Sequence, residues 1–297
     1  MSKVFIGMPV YNGEATMRQA IESLLGQSFR DITLFISNDA SKDTTEKICM
    51  EYMRRDARVK YCKQEKNLGM FPNLKFVMDQ ADTPYFMWAS HDDIWEKDFI
   101  KVCVENIEKR NVDVAQTVVA DVDSYGRNLR EMTEFTKFSG KPGIRQVTKY
   151  VLQPEILGKN HFMYALFKTE VVRKAWEIYP QKREWGSDYH FSLAVVSRFK
   201  VYVDSRVLFK KRHGGFSSPN STKNDSVSSV KRIIIKDPKN HMFPYGRFDT
   251  YFKSHMEALK GTSYRPLCAL LLLIRLPRAF FIHMKQRNYR KFLKKFV

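Results

Sequence analysis

Short apolar runs alternate with amphipathic segments over the first 120 residues, and this order constrains the fold more than any other feature of the chain. Residues 4–10, 32–37, 59–62, 85–89 and 112–119 read as strands. Residues 15–26, 44–54, 71–80 and 97–109 read as helices, with apolar side chains at helical spacing, as at Ala20, Ile21, Leu24 and Leu25. Strand–helix alternation implies right-handed crossovers and a mostly parallel sheet flanked by helices, an α/β architecture.

In such sheets ligands bind beyond the carboxyl ends of the strands. Those ends carry Pro9-Val10-Tyr11-Asn12, then Asn38-Asp39, then His91-Asp92-Asp93, so three polar clusters are expected to converge on one cleft. The adjacent carboxylates Asp92 and Asp93 repel each other unless compensated. They read either as a site for a hard divalent cation, Mg2+ or Mn2+, or as a cap on the helix that follows.

Regularity fades over residues 121–154, where Gly126, Gly140, Pro142 and Gly143 interrupt the pattern. Helical character returns at 168–179 and 189–196, followed by two short strands at 201–203 and 207–209. Residues 217–229, rich in Ser, Asn and Thr, read as a mobile loop.

The ordered succession Pro9-Val10-Tyr11-Asn12, Asn38-Asp39-Ala40-Ser41-Lys42-Asp43-Thr44, Asn67-Leu68-Gly69 with Asn73, and Asp92-Asp93 resembles glycosyltransferase family 2. Each motif is weak alone; the combination is specific. The resemblance is close over about residues 3–125 and looser to about Ser217. It implies a GT-A (Rossmann-like) fold and inverting transfer of a sugar from a nucleotide-diphosphate donor. On that basis Pro9, Val10, Tyr11 and Asn12 would floor the nucleotide site. Asp39 would accept a hydrogen bond from the ring N–H of uracil or thymine, or cap the next helix. Asp93 would ligate the metal that bridges the diphosphate, and Asp92 would meet the ribose or a metal-bound water. Asn67 and Asn73 would brace loops beside the nucleotide. His91 stands where many relatives carry an acid, so it supplies no equivalent negative charge.

Inverting transfer also needs a base to take the proton of the attacking hydroxyl. Trp185-Gly186-Ser187-Asp188-Tyr189 resembles the acidic motif of the family, with Asp188 the expected base or a helix cap, and Ser187 in place of a preceding Glu. Arg212 and His213, in Lys210-Lys211-Arg212-His213-Gly214, would meet the diphosphate and complete the metal shell. Residues 1–215 would then form the catalytic domain, with a nucleotide-sugar half to about 120 and an acceptor half to about 215. Residues 216–257 would be a mobile loop and linker.

Charge separates the remaining segment. The chain carries a net charge of +19, and residues 258–297 hold ten Lys or Arg and no acid, so more than half of the excess lies there. Residues 267–274 are continuously apolar, but Arg275, Pro277 and Arg278 interrupt the length of about 20 residues that spanning requires. An interfacial segment on an anionic membrane is expected, or a helix packed on the body. Basic residues beside an apolar run favour a membrane over nucleic acid. The N-terminus enters a strand directly, without a signal-peptide pattern, and the cysteines Cys49, Cys62, Cys103 and Cys268 are scattered. Together these place the chain on the cytoplasmic face of the plasma membrane. The expected partners are a nucleotide-sugar donor and a glycan or lipid-linked acceptor of bacterial cell-surface polysaccharide synthesis. The substitutions at His91 and Ser187 leave a second reading, a non-catalytic nucleotide-sugar or glycan-binding relative.

Overall fold

The structure is a computed structural model, which describes residues 2–123, 126–153, 157–179, 186–212 and 248–276. Its first half follows the expected alternation: β1 (Val4–Val10), α1 (Met17–Leu25), β2 (Ile32–Asn38), α2 (Thr45–Arg55), β3 (Val59–Lys63), α3 (Met70–Asp79), β4 (Tyr85–Trp88), β5 (Ile94–Trp95), α4 (Phe99–Arg110) and β6 (Val114–Val122). The second half adds β7 (Asn128–Glu131), α5 (Ile144–Leu152), β8 (Leu166–Lys168), α6 (Thr169–Ile178), α7 (Ser187–Arg198), β9 (Val201–Arg212) and α8 (Phe248–Ala258). A last helix, α9, occupies residues 265–276.

One sheet runs in the order β3-β2-β1-β4-β8-β6-β9-β5, with β7 on β6. β3, β2, β1 and β4 are mutually parallel, and β6 is parallel to β9. β8 runs antiparallel to both β4 and β6, between which it lies. The sheet is therefore mixed, because a reverse strand that periodicity does not announce is inserted at its centre. Its direction matters: the start of β8 lies toward the carboxyl end of β4.

The sheet is covered on both faces, so its central strands are buried on both sides. Along β4, Phe86 and Trp88 join one core while Tyr85 and Met87 join the other. Trp88 packs edge-on against Phe86 at 5.0 Å and Phe191 at 5.7 Å, and its indole N–H donates to the Leu74 carbonyl at 2.9 Å. The polar end of the ring is thereby satisfied. Gly7 allows α3 to approach β1; a Cβ there would lie 2.8 Å from Val77 Cγ2.

The two short strands expected at 201–203 and 207–209 are one strand, β9, whose register on β6 shifts between Thr117 and Val119. The Asp204 carboxylate accepts the Arg206 backbone N–H at 3.1 Å, which shapes that irregularity. The irregular stretch 121–154 contains α5, whose Val147, Tyr150 and Val151 are buried. Residues 248–257, expected to belong to a linker, lie in α8, with Tyr251, Ser254 and His255 buried. In α9, Cys268 and Leu272 are buried and Arg275 donates to the Val151 carbonyl, while Leu270, Leu273 and Ile274 are about half exposed. The four cysteines are free thiols. Residues 213–247 and 277–297, including His213 and most of the basic tail, lie outside the described residues.

Candidate active site

The carboxyl ends of β1, β2, β4, β6 and β9 share one edge, and the expected residues gather along it. At the rim the β1 and β2 loops are tied together. Asn12 N–H donates to Ser41 Oγ at 2.9 Å, and Asn12 Oδ1 accepts Lys42 N–H at 2.9 Å. Gly13 N–H donates to Thr45 Oγ1 at 2.8 Å. Any side chain at Gly13 would strike Val10, with a Cβ 2.5 Å from Val10 Cγ2. Val10 is buried, whereas Tyr11 stands exposed on the rim.

Asp39 is 2% exposed and braces the neighbouring loop. Its Oδ1 accepts Leu68 N–H at 2.7 Å and its Oδ2 accepts Gly69 N–H at 3.0 Å. A base N–H bonded to Asp39 would share an oxygen already in use. Asn67 Oδ1 accepts Gly69 N–H at 3.0 Å, and Asn73 bonds Ser37 through both ends of its amide. Asn67 thus shapes its own loop, whereas Asn73 ties α3 to the end of β2.

The two central acids are not equivalent. Asp93 is fully buried; its Oδ1 accepts Arg212 N–H and its Oδ2 the Lys211 ammonium, each at 3.0 Å. Asp92 accepts the Ser90 hydroxyl and makes no direct ion pair among the described residues. Burial pushes the Asp93 carboxyl up to about 6 against the pull of Lys211. Burial also opposes ionisation of Asp92, but Lys211, His91 and the Ser90 hydroxyl hold it below the usual carboxylate range. Although burial disfavours its charge, Lys211 is held well above the usual lysine range by Asp93, Tyr164 and Asp92. The two acids therefore differ in setting: Asp93 has a counter-ion and both oxygens hydrogen-bonded, whereas Asp92 makes no direct ion pair among the described residues.

Arg212 lies over this turn, its Nε donating to the Asp92 carbonyl at 2.9 Å and its Nη2 to Gln19. His91 faces the β1–α1 loop, with Nδ1 3.3 Å from Thr16 Oγ1. Burial lowers its pKa, opposed by Asp92, so the ring serves the loop as a neutral hydrogen-bonding group.

Asp188 reaches the same edge from the first turn of α7, a position favourable for a carboxylate beside free helix N–H groups. Its Oδ2 accepts the Asn160 amide at 2.7 Å and its Oδ1 accepts Tyr189 N–H at 3.0 Å. Burial pushes the Asp188 carboxyl above its usual range, opposed by these bonds and by Lys211. The field of Lys211 therefore reaches both acidic centres. Tyr164 stands among them: Lys211 Nζ lies 4.8 Å above its ring, and burial raises its phenol to about 12, with Lys211 opposing and Asp93, Asp92 and Asp188 adding to the rise.

Sequence reasoning missed Lys211, Asn160 and Tyr164. Strand alternation offered a signal for the first, because Lys211 follows buried Phe209 by two positions and so shares its face. Asn160 and Tyr164 lie in a 3-10 segment, Lys159–Tyr164, whose pattern carries no such signal.

Among the described residues no three His, Cys, Asp or Glu side chains converge to hold a metal. One or two carboxylates nevertheless suit Mg2+ or Mn2+ when a bound diphosphate supplies further oxygens. Asp92, ionised and without a direct counter-ion, fits that requirement.

A carboxylate pair, a lysine and a further carboxylate thus gather at the strand ends, where α/β sheets bind their ligands. The chain matches the glycosyl transferase family 2 profile over residues 5–176 and belongs to that family. It is 27% identical over 281 residues to an uncharacterized glycosyltransferase of Rickettsia typhi, covering 87% of this chain and 84% of that one. It is 30% identical over 157 residues to the dTDP-rhamnosyl transferase RfbG of Shigella flexneri, covering 48% of this chain and 53% of that one. Its fold is similar to that of S. aureus TarS 1–349 in complex with UDP-GlcNAc, with a TM-score of 0.57 at 16% identity, covering 94% of this chain and 81% of that one. The expected GT-A fold is the observed one.

Proposed function

We propose that the protein is a metal-dependent, inverting glycosyltransferase that takes a UDP- or dTDP-sugar as donor and a hydroxyl of a glycan or lipid-linked molecule as acceptor. The observation that carries this reading is the division of labour among the acids: Asp92 without a direct ion pair among the described residues, Asp93 paired with Lys211, and Asp188 held by Asn160 at raised pKa. The family supplies the reaction class. The donors named for the Shigella and TarS proteins carry thymine and uracil, which share the ring N–H that an Asp39 oxygen would accept.

In the reaction the acceptor oxygen forms a bond to the anomeric carbon as the bond from that carbon to the diphosphate breaks. The electron pair leaves with the diphosphate, and Asp188 takes the acceptor proton. Asp92 would hold a divalent cation, which would supply charge neutralisation to the leaving group. Lys211 and Arg212 add fixed positive charge on the same side, and Tyr11 and Val10 flank the base. His213 would join the cation from the neighbouring segment.

The acceptor chemistry follows from the C-terminal helix. The half-exposed Leu270, Leu273 and Ile274 lie on a segment whose charge is wholly basic, which suits an anionic lipid surface. No helix among the described residues is long and apolar enough to cross a membrane. This supports work at a membrane face on a lipid-linked acceptor, in bacterial cell-surface polysaccharide synthesis at the cytoplasmic side.

Calorimetric titration with UDP, dTDP, GDP and CDP, each with and without Mn2+, tests the donor site. Metal-dependent binding of UDP or dTDP, lost in Asp92→Asn, is expected. A folded protein that binds none of the four defeats the donor reading.

A further inference from the structure

Tyr164 lies beside Lys211, near both acidic centres, for a topological reason. β8 runs against its neighbours, so Tyr164, two residues before it, is carried toward the carboxyl end of β4. The ring rests 5.7 Å from Phe209, and Lys211 Nζ lies over it at 4.8 Å. The other polar groups here are engaged: Asp93 with Lys211, Asp188 with Asn160, and Asp92 with Ser90. The Tyr164 hydroxyl has no hydrogen-bond partner among the described residues and is not among the sealed, unsatisfied polar atoms of the core, so it remains open to the cleft. Asn160, in the same Lys159–Tyr164 segment, bonds Asp188.

Single displacement places the anomeric carbon between the leaving diphosphate and the base. A group beside the Lys211–Asp93 pair, on the segment whose Asn160 holds Asp188, is therefore placed near the sugar ring. We propose that the Tyr164 hydroxyl donates a hydrogen bond to the transferred sugar and helps select which sugar is accepted. The inference rests on the donor reading above and assigns a contact that the nucleotide alone does not make. A site built to bond a substrate hydroxyl discriminates strongly against partners that leave it unpaired.

Tyr164→Phe is the test, since it keeps the ring against Phe209 and beneath Lys211 while removing the hydroxyl. UDP, dTDP and GDP are titrated by calorimetry into wild type and variant. The slow hydrolysis of UDP-glucose, UDP-GlcNAc, dTDP-rhamnose and GDP-mannose is followed alongside. Nucleoside diphosphate affinity is expected to stay within twofold, while kcat/KM for the preferred sugar nucleotide falls at least tenfold. A smaller fall overturns the proposal, and so does a parallel loss of nucleoside diphosphate affinity, which would assign Tyr164 to packing against Lys211. Wild type that binds a nucleoside diphosphate but neither binds nor hydrolyses any of the four sugar nucleotides in preference to it also overturns the sugar contact. Wild type that binds no nucleotide instead removes the donor reading, and this contact with it. An unchanged urea midpoint in the variant excludes misfolding as the cause of an expected loss.

Discussion

Lys211 places its ammonium 3.0 Å from the Asp93 carboxylate, joining the end of β9 to the turn after β4 across 118 residues of sequence. This pair decides which of two adjacent acids is neutralised by the protein. Replacing Lys211 by Met would leave a fully buried carboxylate without its counter-ion, a change that costs about 3 kcal/mol in comparable pairs. Urea denaturation should show that loss, and the double variant Lys211→Met with Asp93→Asn should recover part of it. Equal stability of Lys211→Met and wild type would show that the pair contributes little.

The same division separates the two acids in function. Asp92→Asn should abolish Mn2+-dependent nucleotide affinity with little change in the urea midpoint. Asp93→Asn should retain measurable Mn2+-dependent binding. Titration of both variants with UDP and Mn2+ distinguishes these outcomes, and loss confined to Asp93→Asn would restore the assignment expected from sequence.

Asp188→Asn should reduce turnover by about a hundredfold or more while sparing nucleotide affinity, the range for loss of a positioned base. Full transfer activity in that variant removes the assignment.

Asn160 donates to the charged form of Asp188, and such a bond lowers a carboxyl pKa. Asn160→Ala should raise the pKa of the base, so the acid limb of the kcat/KM profile moves to higher pH. Since Asp188 must be ionised to accept a proton, activity at the acid end falls more than activity at neutral pH. A profile scaled down equally at every pH would instead indicate a structural role alone.

Gly7 lies where α3 meets β1, and a methyl group would sit 2.8 Å from Val77 Cγ2 and 3.2 Å from Phe86. Overpacking of this kind costs about 1–3 kcal/mol, so Gly7→Ala should lower Tm measurably. An unchanged Tm would show that Val77 can turn aside without strain.

For the tail, replacing Leu270, Leu273 and Ile274 together by Ser should weaken co-sedimentation with phosphatidylglycerol vesicles at least tenfold and leave UDP affinity unchanged. Undiminished vesicle binding would remove this helix face as the docking element.

Much of the nucleotide half was legible because its signals are local. Apolar runs of strand length, helical spacing at Ala20, Ile21, Leu24 and Leu25, and turn residues after each strand are read within a few positions of one another. α5 was not legible, because the glycines and proline before it mask a buried face formed by Val147, Tyr150 and Val151. β8, three residues long, is too short for periodicity to declare.

The sequence by itself determined the alternating architecture, the acids and polar clusters at the strand ends, and the concentration of positive charge toward the C-terminus. Each depends on neighbours along the chain. Tertiary structure alone decided that Lys211 pairs with Asp93 rather than Asp92, that Asn160 holds Asp188, and that Tyr164 lies beneath Lys211. Those choices come from the reversed direction of β8 and the parallel run of β9 beside β6, which bring distant residues to one edge. The strength of a charge interaction depends on distance and burial in space, and neither is encoded in separation along the chain.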